Sequence, residues 1–141
     1  MAENIKPAYV IDCNLIVKLF IPEKDSEIAS KLLKKAINKE INLYSPAIIL
    51  IEFANVLTRY YRKNLLTENE CIKVFITFTK ITKEKIVNII SLSTEKTEIL
   101  SLAVKHKLSY FDAEYLYLSN KLKFDLITYD QQLKRVISKD K

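Results

Sequence analysis

Short apolar stretches rich in β-branched residues alternate along this chain with stretches of helical periodicity, and that alternation restricts the fold more than any other feature. AYVID at 8–12 reads as a buried strand, and residues 41–44 as a short second one. IVNIIS at 86–91 reads as a third, and DLITYD at 125–130 as a fourth that terminates in an aspartate. From Ser26 onward Ile28, Ala29, Leu32, Leu33, Ala36 and Ile37 recur on one helical face, with Lys31, Lys34, Lys35 and Lys39 opposite. Ser45-Pro46 reads as an N-cap followed by proline at the first helical position, opening a helix to about Arg62. Thr67 and Glu70 have capping-box spacing, and the helix behind them shows Cys71, Val74, Phe75 and Phe78 on one face. A further helix runs through Lys107 with Leu100, Ala103 and Val104 inward, and Ser109 caps the next, which ends near Leu122. This order predicts an α/β fold, a parallel sheet covered by helices on both faces. In such sheets ligands bind beyond the carboxyl ends of the strands. The 141 residues carry no repeat, low-complexity segment or linker and fit one domain, 1–141.

What the chain lacks narrows its chemistry. It has no glycine, where average usage predicts roughly ten. Glycine-built phosphate cradles and the esterase nucleophile elbow are thereby excluded. A single histidine, His106, rules out an HExxH site, and with only Cys13 and Cys71 beside it an ordinary four-ligand zinc site cannot form. Both cysteines sit among apolar residues and read as small buried hydrophobes. The longest apolar run, 47–51, falls far short of the ~20 residues of a spanning helix, and the N-terminus lacks the marks of a signal peptide. A cytoplasmic protein is expected. Carboxylates, hydroxyls and lysines remain for any chemistry, and carboxylates suit a hard cation such as Mg2+ or Mn2+. The net charge of +6 is compatible with a polyanionic partner, though lysine-rich solvated faces also account for it.

Four acids stand out. Asp12 and Asp130 each follow a strand, so parallel strands would set both on one edge of the sheet; each also reads as a turn or cap aspartate. Asp112 lies three residues after Ser109, a capping arrangement that complements the helix dipole and can also aim a carboxylate into a cleft. Glu52 interrupts AIILIEFANVL, with Ile48, Ile49, Asn55 and Val56 as its helical neighbours. An ionised carboxylate left unpaired there would cost several kcal/mol. It pairs with a lysine or, more readily, shares a cation with other acids.

The ordered set VIDCN, SPAIILIEFANVL, LSYFDAEYLYLS and LITYD resembles the PIN domain family, and within it the VapC-type toxins, over about residues 9–133. The resemblance implies a three-layer α/β/α sandwich with a central parallel sheet, and a metal-dependent endoribonuclease. The family's acidic positions correspond to Asp12, Glu52, Asp112 and Asp130, its small polar residue two places after the first Asp to Asn14, and its Thr-x-Asp to Thr128 and Asp130. Asp12 and Asp112 would then be the main ligands of one or two Mg2+ or Mn2+ ions. Asp130 would be a second ligand or reach the ion through water, and Glu52 a ligand or the group that orients the attacking water. Asn14, Thr128 and Ser109 would support the carboxylates. The family often has a glycine shortly before the fourth strand, where this chain has Lys123-Phe124, and the region after Asp130 is short for a last strand.

RNA would be gripped by Lys18, Arg59, Arg62, Lys63, Lys121 and Lys123, each of which also reads as an ordinary solvated charge. The resemblance further implies a cognate antitoxin and a homodimer. The helix at 67–80 offers a surface for either, or simply packs on the core. Two alternatives share the fold: a housekeeping RNA-processing nuclease, and a silent module that only binds RNA or protein. A haloacid-dehalogenase-type phosphotransfer enzyme ranks below these, because it needs a second Asp where Asn14 stands.

Overall fold

The computed structural model describes residues 5–139; the remainder of the expected domain, residues 1–4 and 140–141, lies outside them. The elements are β1 (Ala8–Ile11), α1 (Cys13–Phe20), α2 (Ser26–Ile37), β2 (Asn42–Pro46), α3 (Ile48–Arg62) and α4 (Glu68–Lys83). They are followed by β3 (Val87–Ile90), α5 (Lys96–His106), α6 (Tyr110–Leu122), β4 (Asp125–Ile127) and α7 (Gln131–Lys139). The strands form one parallel sheet in the order β3-β2-β1-β4, with Val10 opposite both Tyr44 and Leu126. Among the described residues no helix is long and apolar enough to cross a membrane.

Strand side chains alternate between faces, and the core divides accordingly. Ile11, Leu43 and Val87 pack with Leu15, Ile16, Phe53 and Phe78 beneath α1 to α4. Val10 turns the other way, onto Ile99, Ala103, Ala113 and Leu118 of α5 and α6. α7 closes onto α6 through Leu133, Val136 and Leu116. The expected three-layer α/β/α sandwich is thus the observed one.

The capping expectations divide by range. Thr67 and Glu70 form a complete capping box, and the Ser109 hydroxyl accepts from Asp112 N at 3.1 Å. Ser45 and Pro46, expected to open α3, are instead the last residues of β2. The fully buried Ser45 donates its hydroxyl to Ile11 O at 2.9 Å, across the sheet, so it cannot cap; α3 starts behind Ala47 with no side-chain cap. β4 also stops at Ile127, which leaves Thr128 and Asp130 beyond the strand, where Asp130 Oδ1 accepts from Leu133 N at 2.9 Å and caps α7.

Without glycine, the chain reverses direction on other residues. Asp25, Lys39, Asn64, Lys85, Lys107 and Lys123 all hold positive φ, and Lys107 and Lys123 end α5 and α6 in the left-handed conformation. Lys123, at φ 60°, stands where the family resemblance leads one to expect glycine, the residue that makes this turn without a Cβ clash.

Candidate active site

Because all four strands are parallel, the segments leaving β1 and β4 emerge on one edge of the sheet. Asp12 follows β1 directly and is 4% exposed. As N-cap of α1 it accepts from Leu15 N at 3.3 Å through Oδ1, while Oδ2 accepts from the Thr128 hydroxyl. Thr128 is buried and in turn accepts from Asp130 N at 3.0 Å. One hydroxyl therefore ties two of the acids together. Asp112 joins from the first turn of α6, and Glu52 from the first half of α3.

The four act on one another electrostatically. Burial raises Asp12 to about 6 against the pull of its Thr128 and Leu15 hydrogen bonds, and the charges of Asp112 and Asp130 push the same way. Asp112 is raised by burial and then by Asp130. Glu52 is raised by burial, with Asp112, Asp12 and Glu114 adding to it. Glu52 Oε1 and the Tyr115 hydroxyl are both buried without a hydrogen bond, and the hydroxyl lies close enough to the carboxylate to pull against its upward shift. An orphaned carboxylate oxygen among mutually repelling acids is an environment completed by a cation.

Hard oxygen donors with no histidine fit Mg2+ or Mn2+. Among the described residues, no three or more His, Cys, Asp and Glu side chains stand together as a metal cage. Magnesium does not require one, since it keeps several waters and takes one or two carboxylates.

The remaining expected site residues fare differently. Asn14 is exposed and makes no hydrogen bond to the acids, while Ser109 acts on Asp112 through its cap. Lys18 is held by Glu23 at 3.3 Å and Lys24 O at 3.0 Å, with its ammonium 4.8 Å from the Tyr129 ring centre. The charge of Arg59 reaches Cys13, beside Asp12. Arg62 lines an apolar groove between α3 and α4, and Lys63 is exposed at the end of α3. Lys121 is paired with Glu95, and Lys123 precedes the amino end of β4, away from the carboxyl edge.

Both cysteines are free: Cys13 is buried, its thiol driven up by burial and by Glu52 and Asp12, and Cys71 is half-buried, donating toward Leu57 O at 3.5 Å. Glu114, which sequence reasoning passed over, is a fifth acid here. It is 9% exposed, is raised by burial, and has the Tyr110 hydroxyl and Lys96 on its other side. Its position in YFDAEYLYL, aligned with Tyr110, Tyr117 and Leu118 at helical spacing, poses the same question as Glu52 does.

A parallel α/β/α sandwich with acids at its carboxyl edge defines an α/β class, and comparison narrows it. The chain belongs to the PIN domain family, whose model matches residues 9–139. It is 30% identical over 124 residues to Ribonuclease VapC3 of Pyrobaculum aerophilum, covering 88% of this chain and 90% of that one. Its fold matches the crystal structure of PAE2754 from the same organism, with a TM-score of 0.68 at 19% identity, over 90% of this chain and 77% of that one. It also matches Mycobacterium tuberculosis VapC20, described as a Sarcin-Ricin loop cleaving toxin, with a TM-score of 0.71 at 13% identity, over 91% and 94% of the two chains.

Proposed function

We propose that this protein is a metal-dependent endoribonuclease and the toxin of a toxin–antitoxin pair, working as a single cytoplasmic domain. One observation carries the reading: Asp12, Glu52, Asp112 and Asp130, supplied by four separate segments, act on one another at the carboxyl edge of the sheet. The similarity to a ribonuclease over most of both chains supports RNA as the substrate. By the same similarity, a cognate antitoxin and a second copy of the chain are its proposed partners.

Asp12 and Asp112 would hold Mg2+ or Mn2+, with Asp130 as a further ligand or reaching it through water. A bound ion would supply the positive charge that a cleaved phosphodiester needs as negative charge builds on it. The chain's own residues do the rest. Thr128 fixes the direction of the Asp12 carboxylate and ties it to Asp130. Ser109 holds the first turn of α6, which sets Asp112. Glu52, raised by burial, accepts a proton from the attacking water more readily than an ordinary carboxylate, or serves as a ligand.

Purified protein incubated with RNA and Mg2+ or Mn2+ is expected to give internal cleavage, abolished by EDTA and reduced by at least about a hundredfold in Asp112→Asn. Cleavage that persists in Asp112→Asn would show that the acids are not the active site.

A further inference from the structure

Two of the cations expected to grip RNA are already engaged, Lys18 by Glu23 and Lys121 by Glu95. The C-terminal end of α5 and one side of α7 enclose a different feature, a groove of about 400 Å³. Lys105, Lys107, Arg135 and Lys139 line it together with Gln132, and among the described residues no acidic side chain does. All four cations are exposed, and among the described residues none is paired with an acid. Basic residues near a helix C-terminus complement the dipole, which accounts for Lys105, Lys107 and Lys139 singly. It does not account for two helices turning their cations into one concavity.

We infer that this α5–α7 groove binds the sugar-phosphate backbone of the RNA beside the scissile bond, an inference that rests on the ribonuclease reading above. The spacing supports it. α7 is capped by Asp130 of the acidic edge, so Arg135 and Lys139 lie about 7 and 13 Å further along its axis at 1.5 Å per residue. Those distances correspond to about two and four nucleotides of a stacked strand at ~3.4 Å each. The groove is polar and cationic, has room for a nucleotide-sized group, and is lined by the helix that begins at Asp130 of the acidic edge. Three lysine ammoniums and one guanidinium on two helices favour contact with phosphates, which holds a strand in register without selecting its sequence.

The test measures binding of a fluorescein-labelled single-stranded RNA of mixed sequence by polarisation, in EDTA, across a salt series. The full chain is compared with Lys105→Gln/Lys107→Gln/Arg135→Gln/Lys139→Gln and with a charge-matched control, Lys31→Gln/Lys34→Gln/Lys35→Gln/Lys39→Gln, exposed on α2 and in the turn just after it. The groove variant is expected to bind at least tenfold more weakly, with the slope of log K against log salt shallower by about 3, while the control shifts it by less than about 1. Equal losses in the two variants, or none in the groove variant, overturn the inference while leaving the ribonuclease reading intact. A groove variant that keeps RNA but loses poly-L-glutamate also overturns it, in favour of an acidic protein segment. Wild-type protein that neither binds nor cuts RNA overturns the functional reading and this inference with it.

Discussion

Thr128 shows how much of the site depends on a single hydroxyl. It donates to Asp12 and accepts from the backbone of Asp130, so one oxygen sets the geometry of two acids on different segments. Its hydrogen bond also opposes the burial that raises Asp12. Thr128→Val keeps the shape and removes both links. The expected result is about a tenfold to hundredfold loss of cleavage, with a stability loss of about 1–3 kcal/mol read from urea midpoints. The acid limb of the pH–rate profile should move to higher pH, because Asp12 loses the donor that favours its charged form. A Thr128→Val profile that overlays the wild-type one would remove Thr128 from the site. Glu52 illustrates the complementary situation. Its buried Oε1 has only the Tyr115 hydroxyl beside it, so its charge is stabilised by little that the chain itself provides.

At the scale of elements, this fold turns its corners without glycine and carries the cost at specific positions. Lys123 ends α6 with φ 60°, a conformation that costs a residue with a Cβ about 1 kcal/mol. Lys123→Gly is expected to stabilise by up to about 1 kcal/mol, less the added entropy of the unfolded chain, measured as a higher urea midpoint at unchanged slope. A lower midpoint would mean that the lysine stem packs usefully against α6. The same elements show what was legible beforehand. Caps closed within three residues, Thr67 with Glu70 and Ser109 with Asp112, were readable because donor and acceptor are neighbours in sequence. Ser45 was misread because its partner, Ile11 O, lies 34 residues away. α1 escaped notice because CNLIVKLF is only eight residues long, and its polar face rests on two side chains, Asn14 and Lys18, too few to mark a helical period. The strands and their parallel pairing followed from composition and alternation, Asp12 and Asp130 from where two strands end, Asp112 from its spacing after Ser109, and Glu52 from the apolar run that it interrupts; the strand order depends on long-range pairing that no local pattern encodes. Glu114 gave no local signal, because its burial comes from tertiary packing and the tyrosines around it in YFDAEYLYL suit a half-exposed face equally well.

For the whole molecule, the acidic edge makes stability depend on pH and on divalent cations together. Asp12 sits at about 6 in the folded chain against 3.8 in its ordinary state. The folded protein therefore holds this proton more tightly than the unfolded chain does. Stability from this group is highest in acid and is lost as pH rises between about 4 and 6, on the order of 3 kcal/mol by neutral pH. Glu52, Asp112 and Glu114 are raised as well and act in the same direction. A cation that binds the ionised carboxylates only in the folded state reverses the loss, because it competes with protons for the same oxygens. The metal-free protein is accordingly expected to melt higher near pH 5 than at pH 8, by on the order of 5 °C from Asp12 alone, since about half of its loss has already occurred by pH 5. Saturating Mn2+ should raise the midpoint at pH 8 and leave it nearly unchanged at pH 5. Asp12→Asn removes the buried charge, so it should melt above wild type at pH 8 without metal and respond little to Mn2+. Thermal melting by circular dichroism at the two pH values, with and without Mn2+, checks all of this. A wild-type midpoint at pH 8 that ignores the metal would mean that these carboxylates, though gathered on one edge, do not bind a cation as a unit.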